Sequence, residues 1–244
     1  MKYRFLEKLR CKDADLHHNA APVMVCLGDS VTQGCFELYN PTPTTIETVF
    51  EQQYSYSQLL KNALNILYPR ANATVINAGH SGGTAQQGLE RLERDVLPFH
   101  PDLVIVAFAL NDTGGGLDYL STFSDSLHGI FEQCRARGIE CMYVTPNMMN
   151  TYVSGKISDE VSRRLASGFA ERQNGGLLDA FVAEGMRVAR ECGAGVCDVY
   201  GTWKRFAACG VDTTALLSNH LNHPTREMQQ LIAAKILEEL FSQA

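Results

Sequence analysis

A chain of 244 residues is long enough for one sizeable α/β core, and a composition 45% hydrophobic and 20% charged is that of a folded globular protein rather than a disordered one. Twenty-seven Asp and Glu against 21 Lys and Arg give a net charge of −6 with no basic cluster, which argues against nucleic acid or an anionic membrane as partner. The charged N-terminus lacks the apolar stretch of a secretory signal and no run approaches the ~20 apolar residues of a membrane span, so a cytoplasmic location without stable membrane association is expected.

In chain order, residues 1–20 read as an N-terminal extension and 21–244 as a single domain. The first apolar run, 23–27, predicts a strand that stops at Gly28-Asp29-Ser30, with Gly34 four residues on. Residues 35–54, rich in Thr, Pro and aromatic side chains, read as a long irregular stretch. A helical pattern at 56–67 leads to a strand at 73–77, which runs into Asn77-Ala78-Gly79. A helix at 84–97 precedes the strand at 103–110, and Asn111-Asp112 follow it directly. Then come a helix at 117–137, a strand at 139–145, a second irregular stretch at 146–176, a helix at 177–192 and a strand at 195–200. The last helix, 225–241, starts after Pro224 and repeats Met228, Leu231, Ile232, Ile236 and Leu240 at three- and four-residue spacing.

Strands alternating with helices imply βαβ units and a parallel sheet of five strands. The strands are apolar throughout rather than alternating, as expected when helices cover both faces. The eight cysteines include no Cys-x-x-Cys pair, and several lie inside apolar runs, so they read as reduced thiols rather than disulfides or a zinc ribbon. The two long irregular stretches are candidates for the rim of a site.

Ligands of a doubly wound sheet bind outside the carboxyl ends of its strands. Three of these strands end in Ser30, Gly79 and Asn111, and the chain returns with His220 and His223 just before the final helix. These residue types suit acyl transfer. A serine hydroxyl becomes nucleophilic when a base takes its proton, and histidine titrates in the useful range. The N–H groups of Ser30 and Gly79 and the amide of Asn111 offer donors for a developing oxyanion. Asp29 and Asp112 read as structural residues, Cys35 shows no activating partner, and His80 sits beside the second block. His220 and His223 lack a supporting third ligand, so no metal is expected.

The chain resembles the SGNH hydrolases, also called GDSL-type esterases and lipases. The resemblance rests on Gly28-Asp29-Ser30 with Gly34, Asn77-Ala78-Gly79, Asn111-Asp112 and His223-Pro224, four blocks in order over most of the sequence. It implies a three-layer α/β/α sandwich of flavodoxin-like type with a central, mostly parallel five-stranded sheet. It also implies Ser30 as nucleophile, His223 as base, an oxyanion hole of Ser30, Gly79 and Asn111, and no metal or organic cofactor. The chain departs from the family pattern at two positions. Ala109 replaces a glycine, read as a mild change. His220 replaces the aspartate three residues before the catalytic histidine.

A Ser30–His223 dyad is therefore expected, with the imidazole oriented by a backbone carbonyl near residues 220–222 or by a carboxylate elsewhere, such as Asp198 or Asp212. The activity implied is that of a serine esterase acting on a small-molecule ester. It would remove a short acyl group such as acetyl from a hydroxylated or carbohydrate substrate through a seryl ester. The alternatives are a lysophospholipase or thioesterase for longer chains, and a non-catalytic ligand-binding protein of the same fold. The residues expected to distinguish them are Phe36, Tyr39, Phe50 and Tyr54, which would either wall an apolar groove or stack on sugar rings.

Overall fold

Residues 3–39, 42 and 47–242 are described by a computed structural model. In chain order its main elements are α1 (Arg4–Ala14), β1 (Val23–Gly28), α2 (Ser30–Gln33), β2 (Cys35–Tyr39), β3 (Glu47–Phe50), α3 (Tyr56–Leu67), β4 (Thr74–Gly79), α4 (Ala85–Glu90) and α5 (Leu92–Asp95). The second half adds β5 (Leu103–Ala107), α6 (Leu120–Ala136), β6 (Glu140–Val144), α7 (Glu160–Asn174), α8 (Leu177–Glu191), β7 (Gly195–Cys197), α9 (Val199–Ala208) and α10 (Arg226–Phe241).

Five strands form one parallel sheet in the order β4-β1-β5-β6-β7. The chain steps from β1 to β4 on one side and then returns to β5 on the other. Right-handed crossovers in opposite directions place the connecting helices on opposite faces. Accordingly α4, α6 and α8 pack beside one another, and α3 packs with α10. The sheet is the expected three-layer α/β/α sandwich. The direction reversal falls at β1, flanked by β4 and β5, where a doubly wound sheet opens a crevice at its carboxyl edge. In the register Gly28 lies beside Gly79 on one side and Ala107 on the other.

Met24, Val25, Cys26 and Leu27, together with Leu103–Val106, are fully buried and central to a hydrophobic core that spans both faces. The N-terminal residues expected to form an extension contribute α1 to that core through Phe5, Leu6 and Leu9. Three apolar side chains in an otherwise charged segment give too little periodicity to announce a helix. Tertiary contacts hold it: the Glu140 carboxylate accepts the N–H groups of Arg4 and Phe5, at 2.9 and 3.0 Å, and Lys8 pairs with Asp102.

Both stretches expected to be irregular contain regular structure. Within 35–54, β2 and β3 pair as an antiparallel hairpin, with a register shift between Cys35 and Leu38. Residues 40–41 and 43–46 of that stretch lie outside the described residues. Within 146–176, Asp159 caps α7 by accepting the N–H of Ser162 at 2.7 Å. Three predicted elements are shorter than expected; the strand at 103–110 ends at Ala107, so Asn111 comes four residues after it, beyond Ala109 at φ 144°. The strand at 195–200 stops at Cys197 because Asp198 caps α9, its Oδ1 2.8 Å from the N–H of Gly201. The helix at 84–97 breaks at Arg91, whose buried guanidinium reaches beneath the sheet edge. Its Nη1 donates to the Ala78 carbonyl at 2.7 Å and its Nη2 to the Gly28 carbonyl at 2.8 Å.

Arg91 thus ties together the carboxyl ends of β1 and β4. Arg91→Met should remove the donors to two buried carbonyls and destabilise the fold by about 2–4 kcal/mol, measured by urea unfolding. A loss below about 0.5 kcal/mol would show that the two strand ends hold without it.

Candidate active site

Ser30 follows β1 after a single residue. Asp29 occupies the N-cap of α2, and its Oδ1 accepts the N–H of Val31 at 2.9 Å, which turns the chain sharply out of the sheet. Ser30 is left at the first helical position, where a backbone N–H has no intrahelical acceptor. The α2 turn is anchored from behind. Thr32 Oγ1 and the Tyr56 hydroxyl lie 2.8 Å apart, and the Val31 carbonyl accepts Gln229 Nε2 of α10 at 3.0 Å.

His223 arrives from 193 residues further along the chain, with its Nε2 3.0 Å from Ser30 Oγ. Both side chains are buried. The loop that presents the imidazole is wound around Asn219, whose Oδ1 accepts the N–H groups of Leu221, Asn222 and His223 at 2.9, 2.9 and 3.0 Å. At its base the His223 carbonyl accepts the N–H of Ser218 at 2.8 Å, and Leu217 and Pro224 form an isolated antiparallel bridge.

The group facing the second ring nitrogen is a backbone carbonyl, one of the two kinds expected, but it comes from a different segment of the chain. His223 Nδ1 lies 2.7 Å from the backbone carbonyl of Phe36, on β2, not from a carbonyl at 220–222. A carbonyl only accepts, so Nδ1 carries the proton and Nε2 is bare toward the serine. Asp198 caps α9, and Asp212 accepts the Tyr152 hydroxyl at 2.6 Å, so each carboxylate is held elsewhere. His220 takes a left-handed backbone (φ 55°), and its Nδ1 is 3.5 Å from the Thr214 carbonyl. Burial pushes the His223 pKa down to about 4, against the opposing pull of the Phe36 carbonyl and the Glu37 charge.

The second block corrects the expectation for Gly79. Its N–H donates to Asn77 Oδ1 at 2.9 Å rather than facing the serine. Gly79 is glycine for packing: a Cβ there would lie 2.3 Å from the Gln33 nitrogen and 2.7 Å from its Cα, in the backbone of α2. The exposed donor of this block lies three residues further on. The N–H of Gly83 donates to the His80 carbonyl at 3.0 Å, closing a turn with Gly82 at φ 77°. That turn is fastened to the serine's own elements, because His80 donates to the Gly28 carbonyl at 3.0 Å and Ser81 to Gln33 Oε1 at 2.6 Å. Among the described residues the Gly82 N–H meets no acceptor. The adjacent Gly82-Gly83 pair is a turn signal in the sequence, but it does not say which amide of the turn stays open.

Asn111 Nδ2 donates to the Gly83 carbonyl at 2.9 Å, which brings the third block onto the same turn. Asp112 is buried beside it, and its Oδ1 accepts the N–H of Ala85 at 2.8 Å. Burial raises the carboxyl pKa values, that of Asp29 to about 7 and that of Asp112 to about 6. Ala109, expected to be a mild replacement, sits at φ 144°, where backbone strain favours glycine. Cys35 is buried, and desolvation pushes its thiol up to about 12, far from a nucleophilic thiolate.

Of the expected aromatic rim, Phe36 is fully buried and lines no groove, whereas Tyr39, Phe50 and Tyr54 are exposed. An open cavity of about 410 Å³ adjoins Asn111, bordered by Thr84, Gln86, Gln87, Glu90 and Tyr119. A larger cavity of about 920 Å³ opens at the amino-terminal ends of β6 and β7 and contains neither Ser30 nor His223. Among the described residues, His128, Glu132 and Cys192 bring metal-ligating atoms within 4.8 Å of one another, but Arg135 already pairs with Glu132 at 2.6 Å.

The chain belongs to the GDSL-like Lipase/Acylhydrolase family, whose profile matches residues 26–231. It is a GDSL-type ester hydrolase. No curated protein sequence matches it. Solved structures share its fold at low identity. A lipase/acylhydrolase from Enterococcus faecalis is 22% identical, with 90% of this chain and 95% of that one covered and a TM-score of 0.62. An α/β hydrolase enzyme from the metagenome of Lake Arreo, Spain, is 21% identical, with 90% and 95% covered and a TM-score of 0.65. A two-domain esterase active on acetylated mannans is 20% identical with a TM-score of 0.68; the match covers 99% of this chain and 53% of that one.

The loop geometry ranks three substitutions. His223→Ala should lower kcat on the order of a thousandfold. His220→Ala should lower it by roughly tenfold or less, about 1.4 kcal/mol. Asn219→Ala, which strips the acceptor from three N–H groups, should fall between them and also reduce Tm. Steady-state kinetics with a p-nitrophenyl ester checks the order, and equal losses for His220→Ala and His223→Ala would show His220 to be part of the catalytic unit.

Proposed function

We propose that the protein is a serine esterase that removes a short acyl group, such as acetyl, from a hydroxylated or carbohydrate substrate. The observation that carries this reading is the 3.0 Å contact between Ser30 Oγ and His223 Nε2, with the other ring nitrogen tied to a carbonyl. Ser30 Oγ attacks the ester carbonyl as its proton passes to Nε2, and a tetrahedral oxyanion forms. The Ser30 N–H, the Gly82 N–H and Asn111 Nδ2 supply the donors to it, Gly82 taking the role first expected of Gly79. The proton on Nε2 then goes to the departing alkoxide, leaving an acetyl ester on Ser30. Attack by water, with His223 as base, returns the free serine and the carboxylic acid.

The 410 Å³ cavity touches the site through Asn111 and not through Ser30 or His223, and its polar border is in keeping with a hydroxylated alcohol portion. Two of the structurally similar proteins are described as active on acetylated mannans and as an acetyl xylan esterase, in keeping with this reading. The exposed Tyr39, Phe50 and Tyr54 favour the second reading, a lysophospholipase or thioesterase. No described helix is long and apolar enough to cross a membrane.

A fluorophosphonate should label Ser30, and Ser30→Ala should abolish both labelling and turnover while the protein stays folded. Mass-spectrometric mapping of the label to another serine would end the esterase reading. The neutral imidazole is the active form, so activity should fall only as pH drops through the pKa of His223. The acid limb of kcat/KM should therefore lie near pH 4, rather than near the ~6.5 of an unperturbed histidine. A half-maximal point at pH 6 or above would contradict the buried imidazole.

Acetyl and butyryl p-nitrophenyl esters should be hydrolysed faster than the dodecanoyl ester. A kcat/KM that climbs steadily to the dodecanoyl ester would transfer the assignment to the long-chain reading.

A further inference from the structure

The carbonyl that faces His223 belongs to a hairpin, and a hairpin carbonyl ordinarily bonds within its own ladder. Here the ladder is interrupted: Cys35 pairs with Phe50 and Leu38 with Thr48, and the register shifts between them, so Phe36 and Glu37 sit in a bulge. A bulge leaves backbone groups unpaired and re-aims them, which frees the Phe36 carbonyl for an imidazole. It also weakens the strand there, so something else must fix the carbonyl's position.

Arg226 is placed to do this. It begins α10 three residues after His223, and its guanidinium joins Glu37 of β2 to Glu51, the residue that follows β3. Nη1 and Nη2 donate to the two carboxylate oxygens of Glu37 at 2.7 and 3.0 Å, and Nε donates to Glu51 Oε2 at 2.5 Å. The guanidinium carbon lies 4.4 Å from the centre of the Phe36 ring and 5.9 Å from that of Tyr54. The bidentate arm is the geometry in which arginine fixes orientation as well as charge. Glu51 is in turn fastened near the nucleophile, its N–H donating to the Gly34 carbonyl at 2.9 Å.

We propose that Arg226 is a positioning residue, which clamps the bulged strand through Glu37 and Glu51 so that the Phe36 carbonyl orients His223 in place of the missing aspartate. The proposal rests on the Ser30–His223 dyad read above. It also assigns Glu37 a role: its charge reaches the imidazole, yet it acts through Arg226 and the strand, not on Nδ1. A carbonyl carries no formal charge, so it can fix the tautomer but stabilises an imidazolium less than a carboxylate does. Orientation then matters more, and a displacement of about 1 Å can lose on the order of a hundredfold in rate.

The test compares Arg226→Met, Arg226→Lys and Glu51→Gln in the full chain, with two readouts. In steady-state hydrolysis of p-nitrophenyl acetate, Arg226→Met should lower kcat by roughly 10- to 100-fold with KM changed less than about threefold. Arg226→Lys should recover part of the loss, and Arg226→Met combined with Glu37→Gln should be no worse than Arg226→Met alone, the mark of one coupled unit. In ¹⁵N NMR of the histidine rings, wild-type His223 should show a single tautomer with the proton on Nδ1, and Arg226→Met should show exchange between tautomers. If Arg226→Met does not fold, Glu51→Gln, which removes one arm of the clamp, should show the same change in kcat and ring signals to a smaller degree. A folded Arg226→Met with kcat within twofold of wild type and unchanged His223 ring signals would overturn the proposal. The ring signals need no turnover. A wild-type protein that hydrolyses no ester would overturn the esterase reading, while the tautomer measurement would still decide the clamp.

Discussion

One imidazole held between two oxygens is the constraint on which this structure turns. His223 meets Ser30 Oγ on one side and the Phe36 carbonyl on the other, and those oxygens belong to residues only six apart in sequence. The stretch between them must therefore leave the sheet, form one helical turn and reverse into a strand within a few residues. Asp29 starts the turn as its N-cap and Gly34, at φ 90°, ends it. The histidine has to come from elsewhere, and only a loop as tightly wound as the one around Asn219 can deliver it at hydrogen-bonding distance to both.

The platform beneath is built from buried polar groups that would be unfavourable alone. Arg91 satisfies the carbonyls of Gly28 and Ala78, Asp112 takes the N–H of Ala85, and Gln229 bridges the backbone of Tyr56 and Val31. Each side chain joins segments far apart in the chain, and each holds backbone at the carboxyl edge of the sheet. Buried groups of this kind are strong only when satisfied. Gln229 meets that condition at both ends of its amide, whereas Arg91 Nε and Asp112 Oδ2 are buried without a partner among the described residues, and burial raises the carboxyl pKa of Asp112 and of the neighbouring Asp29.

The loss of the usual aspartate has a structural counterpart. With His220 in its place and turned toward the Thr214 carbonyl, the orienting acceptor moves from the histidine loop to the hairpin after α2. A neutral acceptor suits a fully enclosed imidazole, which desolvation keeps in its unprotonated form at neutral pH.

The sequence by itself determined the layered fold, because five continuously apolar runs mark strands covered on both faces and the segments between them carry the 3.6-residue period of helices. It also placed Ser30 and Asn111 beyond strands and His223 before the last helix, and the folded chain sets Ser30 Oγ 3.0 Å from His223 Nε2 and Asn111 Nδ2 2.9 Å from the Gly83 carbonyl. The tertiary structure decided what those patterns do not encode. Helix α1 exists because the core accepts Phe5, Leu6 and Leu9, not because its segment is amphipathic enough to stand alone. Backbone partners likewise carry no residue-type signature, so neither the Phe36 carbonyl at His223 nor the choice of Gly82 over Gly79 as the open amide was legible. Any residue has a carbonyl and nearly every residue an N–H, and only the path of the folded chain decides where each one points.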